Sequence, residues 1–219
     1  MGNHLVRKIF FLITFLSFLF ICASCSSHTP NVRNAKVIVV FNYESLEDYP
    51  KASFSVFVDS ISNPRRFETI DISSAKTEYQ WKAENLIYGE NDDNLFCGIT
   101  NLIMPQNENI PQGEYKITYY QADEEKIDVR AYLSYDDTFY KTKGSEVSSI
   151  MNNNRGSKRI TIFDSENQIM YYGERTPELS SSRKIWNEYN KADKYQESWI
   201  SANGKVICTM PIEKLKPNE

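Results

Sequence analysis

Four cysteines and two histidines bound the chemistry open to this chain. The histidines are His4 and His28, both near the N-terminus. Beyond residue 34 there is none, so Ser-His-Asp and Cys-His catalysis, the commonest zinc sites and the usual neutral-pH general base lack their central side chain there. The cysteines fall into two groups, Cys22 with Cys25 and Cys97 with Cys208. Cys97 and Cys208 are 111 positions apart and form no CxxC redox or metal pair. Each alternates with apolar neighbours, Cys97 with Leu95 and Ile99, Cys208 with Val206 and Met210. Two outcomes fit that pattern. One is a disulfide, which an exported chain can form; the other is a pair of separate thiols packed as small hydrophobes.

The acidic run Glu90-Asn91-Asp92-Asp93-Asn94 offers oxygen ligands, but lacks the central Gly and terminal Glu of a calcium loop, and reads as a solvated turn. Ser-x-x-Lys occurs at Ser73 to Lys76 and at Ser181 to Lys184, a frequency chance explains, and Ser-Asp-Asn and Lys-Thr-Gly are absent. Paired carboxylates remain open, because their separation in space decides that chemistry. Tyr120, Tyr132 and Tyr172 fall on the outward side of alternating strands and form the candidate binding surface, since tyrosine gives large contact area at small entropic cost. Tyrosine is also a good strand residue, which accounts for the same pattern without a ligand. Nothing in the sequence implies a cofactor or a metal site.

Residues 1–24 carry Arg7 and Lys8, then an apolar core from Ile9 to Ile21, then small residues. That is the layout of an export signal, and the core is too short for the ~20 residues a membrane span requires. Ala23-Ser24-Cys25 resembles the lipobox of bacterial lipoproteins, with Cys22 where an aliphatic residue is usual. The resemblance implies lipidation at Cys25 and cleavage before it; ordinary cleavage after Ser24 is the alternative. Ser26, rather than Asp, after the acceptor implies sorting to the outer membrane, in its periplasmic leaflet or at the cell surface.

Removing residues 1–24 leaves a net charge of −6, against −4 for the whole chain. An acidic domain is a poor fit to nucleic acid, which needs a basic face. Residues 25–34 read as a tether. Period-two alternation then dominates. Lys36 to Tyr43 is nearly all apolar, as in a strand covered on both faces. Phe54, Val56 and Val58 share one side of the next strand. Tyr115, Ile117 and Tyr119 alternate with polar residues, as do Ile127, Val129, Ala131 and Leu133, which predicts an antiparallel hairpin wet on one side. Arg159 to Phe163 with Gln168 to Tyr172 predicts a second hairpin, and Asn203-Gly204 marks a third. Thr176-Pro177 opens a helix over 177–190, and a weaker helical pattern covers 75–83.

These elements predict a mainly β fold, an antiparallel immunoglobulin-like or transthyretin-like sandwich over 35–143. A polar linker or long loop follows at 144–157, then a smaller β-rich segment with one short helix over 158–219, either separate or part of the same domain. Trp81, Asn101-Leu102, Pro105, Ile110-Pro111-Gln112-Gly113-Glu114-Tyr115 and Asp123 resemble the spaced pattern of small spirochaete-type lipoproteins, which implies the same sandwich and adds no chemistry. The functional expectation is a lipid-anchored envelope protein that acts as a non-enzymatic binding or structural module. Its partners would be the membrane, through Cys25, and an envelope or host protein or glycan. The alternative is an exported carboxylate-dependent hydrolase acting on an envelope or host polymer.

Overall fold

The structure, a computed structural model, describes residues 31–60, 63–91, 94–105, 108–121 and 125–216. The strands, in chain order, are β1 (Val32–Asn42), β2 (Lys51–Ser60), β3 (Phe67–Ser74), β4 (Gln80–Ala83), β5 (Ile87–Asn91) and β6 (Asn94–Leu102). They continue with β7 (Gly113–Gln121), β8 (Lys126–Leu133), β9 (Ser157–Asp164), β10 (Ile169–Glu174), β11 (Ala192–Ile200) and β12 (Val206–Lys214). Two short α-helices, α1 (Val147–Asn153) and α2 (Ser182–Glu188), and several 3-10 turns join them.

The fold is mainly β and divides into two sheets. The larger has eight strands in the order β10-β9-β11-β12-β1-β2-β6-β5, and the smaller has four in the order β4-β3-β7-β8. Every neighbour pair is antiparallel except β1 with β12. Alternation explains how the sheets pack. Val37, Val39 and Phe41 of β1 and Phe54, Val56 and Val58 of β2 share one buried core with Ile70 and Ile72 of β3 and Ile117 and Tyr119 of β7. Ring contacts lock this layer, Phe54 against Trp81 at 4.9 Å and Phe67 against Tyr119 at 4.9 Å between centroids. A second core gathers Ile160 and Ile162 of β9 with Leu179, Ile185 of α2, Tyr195 of β11 and Leu215.

Several expectations need correction. The C-terminal strands, left open as separate or as part of the same domain, share a sheet with β1, because β12 pairs with β1 and carries β9, β10 and β11 into it. Segment 144–157 is neither linker nor loop. It holds a 3-10 turn at Gly144–Glu146, then α1, whose Val147 and Met151 are buried in the main core. Residues four apart lie on one helix face, and the polar remainder of that helix obscures the stripe. The segment assigned to the tether is shorter than expected, since Val32 and Asn34 already pair with Ser60 and Asp59 of β2. β1 is buried on one face only: Val37, Val39 and Phe41 are inside, while Ile38 and Val40 are half-buried. Residues 80–83 are strand rather than helix, held by pairing with β3. The helix expected over 177–190 breaks into a 3-10 turn at Pro177–Leu179 and α2, because Ser181 restarts it by accepting the Lys184 amide on its side chain.

Candidate functional site

The small sheet turns one face to the core and the other to solvent. On β7 the alternation sends Tyr115, Ile117 and Tyr119 inward and Glu114, Lys116, Thr118 and Tyr120 outward. On β8 it does the same, leaving Lys126, Asp128, Arg130 and Tyr132 outside. Cross-strand register then sets these side chains in rows. Lys82 of β4 stands beside Asp71 of β3, Asp71 beside Thr118 of β7, and Thr118 beside Asp128 of β8. The neighbouring row runs Gln80, Ser73, Lys116, Arg130. Between β4, β3 and β7 this face sinks into a depression of about 290 Å³, lined by Asp71, Ser73, Gln80, Lys82, Lys116, Thr118 and Tyr120 among others.

Its polar groups are tied to one another. The Thr118 hydroxyl donates to Asp128 Oδ1 at 2.7 Å, and Lys116 Nζ lies 3.4 Å from Asp128 Oδ2. Those two partners, the hydroxyl first, hold the Asp128 carboxyl below its ordinary range. The Tyr120 hydroxyl donates to the Asp71 carboxylate, which raises the phenol's pKa. Chemically the face offers hydroxyls, one amide, two carboxylates and two ammonium groups in alternation. Asp71 and Asp128 flank β7 about 10 Å apart, two strand spacings. A carboxyl held ionised in the open is a poor proton donor near neutral pH. The arrangement is suited to hydrogen bonding with a polar ligand more than to acid–base chemistry.

A second depression, also about 290 Å³, lies among Tyr135, Asp136, Phe139, Met151, Asn154, Ser201, Asn203 and Val206. Its polar groups serve the local turns. Asp136 accepts the Thr138 amide at 2.9 Å, and Ser201 Oγ accepts the Val206 amide at 3.0 Å.

The three predicted tyrosines do not share one surface. Tyr120 lines the depression, half-buried. Tyr132 is on the same face at the far end of the strands, paired with Glu114, with Lys205 Nζ 5.9 Å from its ring centre. Tyr172 is on β10, in the other sheet. The cysteines are also apart. Cys208 is on β12 and Cys97 on β6, three strand spacings or at least ~14 Å apart and offset further along the strands, and a disulfide needs Cα atoms within about 7 Å. Both are fully buried free thiols, and burial pushes each up to about 12. The pairing alternative is therefore corrected to two packed thiols. Cys25 lies outside the described residues, as do Asp92, Asp93 and Asp123.

Sequence reasoning missed Asp71, Lys82, Lys116, Thr118 and Asp128 as a group. The outward alternation of β7 and β8 placed three of them on one face, but no local signal brings β3 and β4 alongside. The residues behind the lipoprotein resemblance hold strands and turns. Trp81 Nε1 donates to the Ile103 carbonyl at 3.1 Å, Tyr115 donates to the Pro111 carbonyl at 2.6 Å, and Gly113 adopts φ 130°, a conformation that favours glycine. No protein-family model matches this chain, and comparison with curated proteins finds no match.

Proposed function

We propose that the protein is a lipid-anchored component of the bacterial cell envelope, held by lipid on Cys25, that acts through its surface as a binding module. The contact surface in this reading is the outer face of the small sheet, and its ligand is hydroxyl-rich, an envelope or host glycan. The observation that carries the surface is the convergence of Asp71, Ser73, Gln80, Lys82, Lys116, Thr118 and Tyr120 in one open depression. Donors and acceptors there stand one strand spacing apart, a layout that can meet a polyol at several points, while Asp71, Lys116, Thr118 and Tyr120 keep partners when the face is empty. The lipobox-like Ala23-Ser24-Cys25 supports the anchor, and stable anchoring takes more than one acyl chain.

Two experiments separate anchor from surface. Growth with labelled fatty acid should mark the parent chain and leave Cys25→Ala unlabelled; an unlabelled parent, or label surviving the substitution, rejects the anchor. Binding to a panel of envelope and host polysaccharides should be weakened at least tenfold by Tyr120→Ala or Lys116→Ala, with Tyr172→Ala unchanged, since each lost hydrogen bond to a charged or polar partner is worth about 1.5 kcal/mol. Equal binding by all three variants, or no glycan bound by the parent, rejects the surface.

A further inference from the structure

Four strands end the two sheets, and three of them carry the usual protection against pairing with another chain. β4 has only four residues. β8 presents Lys126, Asp128 and Arg130. β5 is tied to the other sheet, its Tyr88 hydroxyl donating to the Phe67 carbonyl. β10 differs. Its run Ile169-Met170-Tyr171-Tyr172-Gly173 has neither charge nor proline, and Glu174 alone closes it.

The main chain of β10 is aimed outward. The Arg175 amide donates to the Lys158 carbonyl of β9 at 3.4 Å. Alternation along an antiparallel pair therefore turns the main-chain groups of Tyr172 and Glu174 away from β9, where the Glu174 carbonyl accepts the Tyr171 hydroxyl at 3.1 Å and the groups of Tyr172 face outward. On the face opposite α2, register sets Ile212, Gln196, Thr161 and Tyr172 in one row and Phe163 beside Ile169 in the next. Ile169, Tyr172 and Ile212 are 64%, 58% and 55% exposed. Exposed apolar side chains thus sit at both ends of this row, with Gln196 and Thr161 between them, and the pair at the β10 end, Ile169 and Tyr172, stops at an open edge.

We infer that β10 pairs antiparallel with β10 of a second copy of this chain, joining the two eight-stranded sheets into one. Charge selects this occupant and this direction. About a two-fold axis through Tyr171, Glu174 of one copy, whose exposed carboxylate lies 3.6 Å from Arg159 of its own chain, falls opposite Gln168 of the other, beside Asn167 and the Lys194 ammonium bonded to it. Parallel pairing would instead stack Glu174 on Glu174. Self-pairing also joins the two exposed pairs, so that Ile169 and Tyr172 of both copies lie side by side. The inference rests on the described fold and is independent of the lipid anchor and of the glycan surface.

The test uses the full chain extracted in a mild detergent, its mass measured by light scattering and its amide exchange followed over a wide range of concentration. The expected result is a two-chain particle in which the amides of Tyr172 and Glu174 exchange ~tenfold or more slowly as concentration rises. Tyr172→Pro removes only an amide that points away from β9, the position where an edge strand tolerates proline, and should leave a folded single chain. Tyr172→Lys places a charge on the same edge and should do likewise, which keeps the test valid if the proline variant fails to fold. A single-chain mass at every concentration overturns the inference, and so does a dimer that persists in a folded variant.

Discussion

Cys97 and Cys208 should make the fold sensitive to alkali in a way that two substitutions can isolate. Burial in the main core raises both thiols from 9.0 to about 12. The native state therefore keeps protons that the unfolded chain gives up. Stability is intact below the unfolded value of 9.0 and drains as pH climbs from there toward about 12. At pH ~10 each unfolded thiol stands about one pH unit above its own pKa, which costs the native state about 1.4 kcal/mol per thiol and ~3 kcal/mol for the pair. That is a large part of the ~5–15 kcal/mol by which domains are stable. Tyr43, Tyr115, Tyr119 and Tyr135 are raised as well, by burial first, but from 10.0, so their effect begins later. The measurement is urea unfolding under reductant, from neutral pH to about 10, for the parent and for Cys97→Ala/Cys208→Ala. The double variant loses some packing at every pH, and that loss does not depend on pH. The parent should lose ~3 kcal/mol more than the variant across this range. Equal slopes would refute the reasoning, because they would mean that the thiols are solvated in the native fold or joined where they cannot titrate.

Two further substitutions probe how the sheets are held. Tyr140→Phe removes the hydroxyl that accepts the buried Ile110 amide at 2.8 Å, and should lower urea stability by about 1–3 kcal/mol, the cost of an unsatisfied buried donor. Gly98→Ala places a Cβ 2.1 Å from the Val56 carbonyl oxygen and 2.4 Å from the Phe57 ring. Main chain cannot swing aside as a side chain can, so the strain should cost about 3 kcal/mol or more, measured as lost soluble yield and a lower melting temperature.

What the sequence made legible is what local patterning controls. The hairpin of β7 and β8 follows from two alternating runs, and its register, Gly113 opposite Leu133 through Tyr120 opposite Lys126, keeps both inward sets on one face. The Asn203-Gly204 turn is equally local, since Gly204 takes φ 69° between β11 and β12. Errors arose where composition stood in for burial. Ile38 and Val40 suit a strand whether or not anything covers them, so an apolar run on β1 did not mean two buried faces. α1 contributes only Val147 and Met151 as fully buried side chains, too few to stand out in a stretch of Ser and Asn. β4 exists because β3 pairs with it, an interaction four residues cannot announce on their own.

The candidate site was less legible than the fold because strand order makes it. β6 follows β5 in sequence and pairs with it, yet both join the large sheet, while β3 and β4 pair with β7 and β8 in the small one. Only that partition sets Asp71 beside Thr118, whereas Thr118 beside Asp128 belongs to the local hairpin. The same partition separates Tyr120 from Tyr172, which the sequence grouped by their outward alternation alone. It also bears on what the face can do. The Thr118 hydroxyl first, and Lys116 with it, hold the Asp128 carboxyl below its ordinary range, and the Tyr120 hydroxyl occupies Asp71. A ligand must exchange its own hydrogen bonds for these, so affinity depends on matching several partners at once and weakens sharply when one is removed. Single substitutions at Lys116 and Tyr120 should therefore discriminate the proposed binding face from an ordinary solvated one.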